Sequence, residues 1–79
     1  MNSHILGYTT RQTWDEEIAQ NTEMFFEADR LDAQAYKIIE SYSGDPVTWA
    51  RFLEAKKLAD AQRTAAYRDW MRIRRAMRK

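Results

Sequence analysis

The 79-residue chain is long enough for one small domain and has no cysteine, which excludes disulfides and thiolate metal sites. A core of this size rarely contributes more than about 3–5 kcal/mol, so a fold this small usually needs very regular packing, a crosslink, a metal or a second copy. The net charge of +1 conceals two opposed halves: residues 14–42 carry eight acidic and two basic side chains, and residues 46–79 carry three acidic and ten basic.

Residues 1–12 are polar, lack sustained periodicity and include Gly7. They read as a flexible tail, docked through Ile5, Leu6 and Tyr8. Met1 to Gly7 lacks the basic run and long apolar stretch of a secretory signal. No apolar run reaches the roughly 20 residues of a membrane span. The expectation is a chain without signal peptide or span, placed in the cytoplasm or within a larger assembly.

The first helix is expected over about 14–42. Thr13-Trp14-Asp15-Glu16 has capping-box spacing, and three acids in the first turn suit the positive helix end. Met24, Ala28, Leu31, Ala35, Ile38 and Tyr42 then follow at alternating steps of four and three, a heptad seam. Trp14, Ile18, Phe25, Tyr36 and Ile39 widen it.

Ser43-Gly44-Asp45-Pro46 breaks the pattern. Gly44 accepts a left-handed backbone, Asp45 suits a helix N-cap, and Pro46 tolerates a first-turn position because its missing N–H costs nothing there. The second helix is expected over about 46–77. Phe52, Ala55, Ala59, Ala66, Trp70, Ile73 and Met77 form its main stripe, flanked by Trp49, Leu53, Tyr67 and Met71. The abundance of helix formers and the scarcity of Val and Ile agree with an all-α fold, an antiparallel hairpin of two long helices.

A hairpin folded at Gly44 brings the acidic start of the first helix beside the basic end of the second. Asp15, Glu16 and Glu17 are expected near Arg72, Arg74 and Arg75, and Glu23 and Glu27 near Arg63 and Arg68. Exposed pairs of this kind contribute only about 0–1 kcal/mol each, so they report orientation more than stability.

Each apolar stripe is wider than one partner helix can cover. The expectation is completion by oligomerisation, as a four-helix bundle or a larger assembly. Phe26 lies off the Met24–Leu31–Ile38 seam, and Leu58, Ala61 and Ala65 lie off the stripe of the second helix. The hairpin register sets them at similar levels, so they read as a second patch for a protein partner, with Trp49 as a further contact. Trp14 and Trp70 read as core at the open end.

Catalytic constellations are missing from the sequence. The one histidine, His4, falls in the expected tail, and no Glu-x-x-His pair or Gly-rich phosphate loop occurs. Asp15-Glu16-Glu17 suits the helix dipole better than a cation. The expectation is a protein that is not an enzyme and takes no metal or cofactor. It reads as an interaction or assembly module: a small adaptor, chaperone, inhibitor or structural subunit, of phage or secretion-system type. The alternative is a small nucleic-acid-binding dimer using Arg68, Arg72, Arg74, Arg75, Arg78 and Lys79, since clustered arginines on a helix suit phosphates.

Gly44-Asp45-Pro46 followed by Trp49 and Phe52, between two helical segments, resembles the layout of helical-hairpin subunits of type III secretion needles. The basic run from Arg72 to Lys79 departs from that family, and no functional residue is carried over from it.

Overall fold

A computed structural model describes the backbone of residues 3–78 and the side chains of residues 13–78. Two helices account for nearly all of it: α1, Ser3–Ile39, and α2, Pro46–Met77. They pack against each other as an antiparallel hairpin, and no strand occurs among the described residues. The molecule is a rod of 64 × 17 × 15 Å.

Both ends of α1 differ from the sequence expectation. The helix begins at Ser3 rather than near Thr13, so the stretch read as a tail is helical from residue 3 onward. Once a helix exists, each added residue gains a backbone hydrogen bond, and a lone Gly7 opposes this by only about 1 kcal/mol. The expected docking of Ile5, Leu6 and Tyr8 lies outside the described side chains, as does His4. At the other end α1 stops at Ile39, short of Tyr42. Its last turn tightens: Ser41 N–H donates to Ile38 O at 3.3 Å and Tyr42 N–H to Ile39 O at 3.0 Å. The Ser41 hydroxyl also donates to Ile38 O, at 2.9 Å. The tight turn and the serine together satisfy carbonyls the helix end would leave open.

The turn follows the sequence expectation closely. Gly44 has φ +91°, a conformation that costs other residues backbone strain. Asp45 is the N-cap of α2, its carboxylate accepting from Thr48 N–H at 2.8 Å, and Pro46 opens the helix. A Cβ built on Gly44 would meet nothing within 4 Å. Gly44→Ala should therefore cost about 1 kcal/mol through φ alone, read as a lower midpoint in thermal denaturation without loss of helicity.

The interior is built from small side chains. Ala28, Ala35, Ala59, Ala66 and Ile73 are fully buried, and Ile73 is the only large one. Alanines in register let the two backbones approach closely. The approach is close enough for the short Asn21 side chain to reach the backbone of α2, where its amide donates to Ala66 O at 2.9 Å. Gln62 makes the reverse link, donating to Met24 O at 3.2 Å. The two amides clamp each helix to the other's backbone, and Asn21 is the one buried polar residue among those described.

Much of the large apolar surface lies outside this seam, with Met24, Phe25, Leu31, Ile38, Phe52 and Trp70 half-buried along its edges. Phe26, Tyr36, Tyr42, Val47, Trp49, Leu53, Leu58, Tyr67, Met71 and Met77 are all exposed. The accessible surface is 6373 Å², against roughly 5,000 Å² for a compact monomer of this mass. The radius of gyration is 18.7 Å, against about 12 Å for a compact chain of this length.

Candidate helix-docking surface

The hairpin has two sides, separated by helical phase. A residue turns about 100° from its neighbour, so positions three and four apart share a strip. On α1, Thr22, Phe26, Asp29, Ala33 and Tyr36 form one such strip. On α2, Trp49, Phe52, Lys56, Arg63 and Tyr67 form the facing strip. Contacts tie the two together: Phe25 meets Tyr67 edge-on with centroids 5.4 Å apart, and Tyr36 meets Phe52 at 5.8 Å. Trp49 bridges Tyr42 at 5.6 Å and Phe52 at 5.5 Å. This side carries two groups of rings, one near the turn and one around Phe25 and Tyr67.

A charged band lies between the two ring groups. Lys56 Nζ donates to Asp32 at 2.7 Å and sits 5.2 Å from the centre of the Tyr36 ring. Arg63 donates to Asp32 at 2.9 Å and to Asp29 at 2.8 Å. The hydrogen bond from Lys56 is the chief reason the Asp32 carboxyl is held below the usual carboxylate range, with Arg63 adding to it. Lys56 is raised in turn, chiefly by Asp32.

The opposite side carries the strip Leu58, Gln62, Ala65, Asp69 and Arg72 on α2. Arg72 donates to Glu17 at 2.5 Å and to Asp69 at 2.9 Å. Asp69 also accepts from Asn21 at 3.1 Å. Its carboxyl is lowered chiefly by Arg72 and then by Asn21. Asp45 is lowered as well, chiefly by its bonds to Thr48.

These three lowered carboxyls set a pH dependence. A carboxyl whose folded pKa lies below its unfolded value stabilises the fold above the unfolded value of about 3.9. That stability is lost as pH falls through the folded value. The melting midpoint should stay level between neutral pH and about 5, then fall steadily below about 4, followed by helical circular dichroism.

Comparison with protein-family models, with curated proteins and with solved structures finds no match. The resemblance to secretion-needle subunits therefore rests on layout alone.

The residues expected from sequence fall as follows. Phe26 is exposed, at 60%, as are Leu58, at 60%, Ala61 and Ala65. Phe26 stands with Asp29 and Tyr36 on the ring-bearing side, whereas Leu58 and Ala65 stand with Gln62 and Asp69 on the other. Trp49 is exposed and belongs with the rings near the turn, as Leu53, Tyr67 and Met71 are also exposed further along α2. Trp14 and Trp70 are both half-buried. No ring contact joins them among the described residues.

Ion pairing follows the same rule of level and phase. Glu17 meets Arg72 as expected, but Arg63 pairs with Asp29 and Asp32 instead of Glu23 and Glu27. Glu27 is about 200° from Asp29 around α1 and bonds Arg30 within its own helix. Arg74 is likewise about 200° from Arg72 and is turned away from Glu17. Among the described residues no ion pair involves Arg68, Arg74, Arg75 or Arg78; Lys79 lies outside them. No group of three His, Cys, Asp or Glu side chains converges among the described residues, and none of their helices is long and apolar enough to cross a membrane. Sequence reasoning missed Asn21, Gln62 and the Lys56–Asp32–Arg63 band. Asn21 was findable, because it continues the heptad seam three residues before Met24.

Proposed function

We propose that this protein is a non-enzymatic interaction or assembly module that works by helix-to-helix docking, in the manner of a small adaptor, chaperone, inhibitor or structural subunit. The observation that carries this reading is the inversion of the apolar residues: among the described residues four of the five fully buried apolar side chains are alanines, while ten large apolar side chains, Tyr36, Trp49, Leu58 and Tyr67 among them, remain open to solvent. An alanine seam removes little apolar area from water, at about 25 cal/mol per Å². Contiguous apolar surface rimmed by charge is the usual mark of a docking face. The rings would supply contact area, and the Asp29–Asp32–Lys56–Arg63 band would set register and partner choice.

Affinity capture from the native host with the full chain and with Tyr67→Glu, paired with light scattering on each, tests this. The expected result is a complex or multimer that Tyr67→Glu weakens. A strictly monomeric protein that captures nothing overturns the reading.

A nucleic-acid reading is favoured by one observation, the absence of ion pairs at Arg68, Arg74, Arg75 and Arg78 among the described residues. It predicts a mobility shift at low salt that weakens steeply as salt rises, whereas apolar docking should persist. No shift at low salt removes it.

A further inference from the structure

We infer that the ring-bearing side of the hairpin is completed by a second copy of the chain, docked about a two-fold axis parallel to the rod, with both turns at the same end and α1 of each copy against α2 of its partner. This rests on the helix-docking reading and names its partner. Three observations carry it.

The first is charge. Over residues 14–42 the acidic side chains outnumber the basic eight to two, and over 46–79 the basic outnumber the acidic ten to three. Two hairpins can lie face to face in two symmetric ways. With the turns at opposite ends, α1 lies on α1 and α2 on α2, and each new contact joins like charges. With the turns together, every new neighbour is both antiparallel and opposite in charge.

The second is the layering of this side. Rings lie near the turn, the charged band follows, and rings return at Phe25 and Tyr67. With the turns together every level meets its own level. Rings then cover rings. Asp29, whose side chain is 71% exposed while paired to Arg63, gains the Lys56–Arg63 strip of the second copy.

The third is area. The two helices lie side by side over the 32 residues of α2, about 48 Å, and at a width of 17 Å this offers a projected area of roughly 800 Å². A stable interface needs about 800 Å² per partner. The contact is isologous and closes on itself, so it gives a dimer and not a fibre. Tyr36, Trp49 and Tyr67 become interior, while Phe26, Leu53 and Met71 form the rim.

The test uses the full chain with Ser43→Cys, a single labelling position because the protein has no cysteine. Light scattering over a dilution series gives the mass, and dipolar coupling between spin labels gives the distance between turns. Turns together place the labels within about 30 Å, whereas turns apart place them beyond about 40 Å, given helix spacing and rise. The expected result is twice the monomer mass and the shorter distance. Tyr67→Glu should halve that mass, as should Tyr36→Glu, which leaves Lys56 a carboxylate beside it. Leu58→Glu should leave the dimer intact.

A dimer with the longer distance overturns the arrangement. A dimer that survives both ring variants and is lost in Leu58→Glu overturns the face. A monomer at every concentration overturns the second copy. In that case the broader docking reading stands or falls separately, on whether Tyr67→Glu abolishes capture of a host partner.

Discussion

Asn21→Asp is expected to destabilise the hairpin by about 2–4 kcal/mol at neutral pH, a large share of what so small a core supplies. The substitution keeps the shape of the side chain and changes only what its end can do. Asn21 is 4% exposed, and its amide nitrogen donates to Ala66 O and to the Asp69 carboxylate. An aspartate there presents an acceptor to a carbonyl and a negative charge to another carboxylate. The contribution of residue 21 and Asp69 to the pH dependence should invert relative to the parent chain, while those of Asp32 and Asp45 remain. Two carboxylates this close share a proton, so the folded pKa of the pair is raised above the unfolded value. A carboxyl with a raised folded pKa destabilises the fold fully above that pKa, and the penalty fades as pH falls towards the unfolded value. Thermal melts at fixed protein concentration, at pH 7 and near pH 4, should show the variant closing the gap on the parent at the lower pH. Equal gaps at both pH values would mean Asp69 does not feel the new charge.

Asn21→Leu separates stability from specificity. Leucine abandons both hydrogen bonds but leaves Asp69 its two bonds from Arg72. Replacing a satisfied buried polar group with an apolar one of similar size is often neutral or favourable. A single buried asparagine in a heptad seam, however, fixes register. Among the described residues, Asn21 and Gln62 are the two side chains that lock one backbone to the other at defined residues. Without Asn21, the alanine seam alone is nearly translation-invariant over one heptad, since Ala28 and Ala35 present the same surface seven residues apart.

What the sequence made legible follows from which variables a pattern encodes. The turn was readable because Gly44, Asp45 and Pro46 each demand a local conformation that few residues accept, and φ +91° at Gly44 and the Asp45–Thr48 cap answer those demands. The seam was readable because its period is its cause. Levels along the rod were readable too, since one turn fixes which residues lie opposite, and Arg72 does meet Glu17. Faces were less so. A level ignores the rotation of about 100° per residue, so Glu27 was grouped with Arg63, though Glu27 bonds Arg30 and Arg63 bonds Asp29 and Asp32. The start of α1 was misplaced for another reason. A capping-box pattern marks where a helix is able to begin, and nothing in Thr13–Glu16 prevents the backbone from continuing back to Ser3. The polar clamps were hidden because asparagine and glutamine read as surface residues until a facing carbonyl is placed beside them.

Ala66→Leu against Ala65→Leu isolates the packing of that seam. The two positions are neighbours with the same chemistry and differ only by phase: Ala66 is fully buried and Ala65 is exposed. A leucine at 66 must fit between two helices whose backbones are close enough for Asn21 to bridge. Overpacking typically costs about 1–3 kcal/mol. Pushing the helices apart also breaks the bond from Asn21 to Ala66 O, which adds about 1–2 kcal/mol for a buried donor left with less. The sum approaches the whole stability of a small core, so Ala66→Leu is expected to melt near or below room temperature. Leucine at 65 points to solvent and should change stability by no more than about 0.5 kcal/mol. Paired chemical denaturation curves read this difference directly, with the slope as a check that both variants unfold from the same state. If the two leucines cost the same, the alanines are not a spacing device, and the close approach of the helices has some other cause. If leucine at 66 costs most of the stability while leucine at 65 costs little, the alanine seam is what holds the rings outside the hairpin. The exposure of Tyr36, Trp49 and Tyr67 is then a consequence of how the interior is built, since two helices drawn this close hold even Phe25, Phe52 and Trp70 only half-buried.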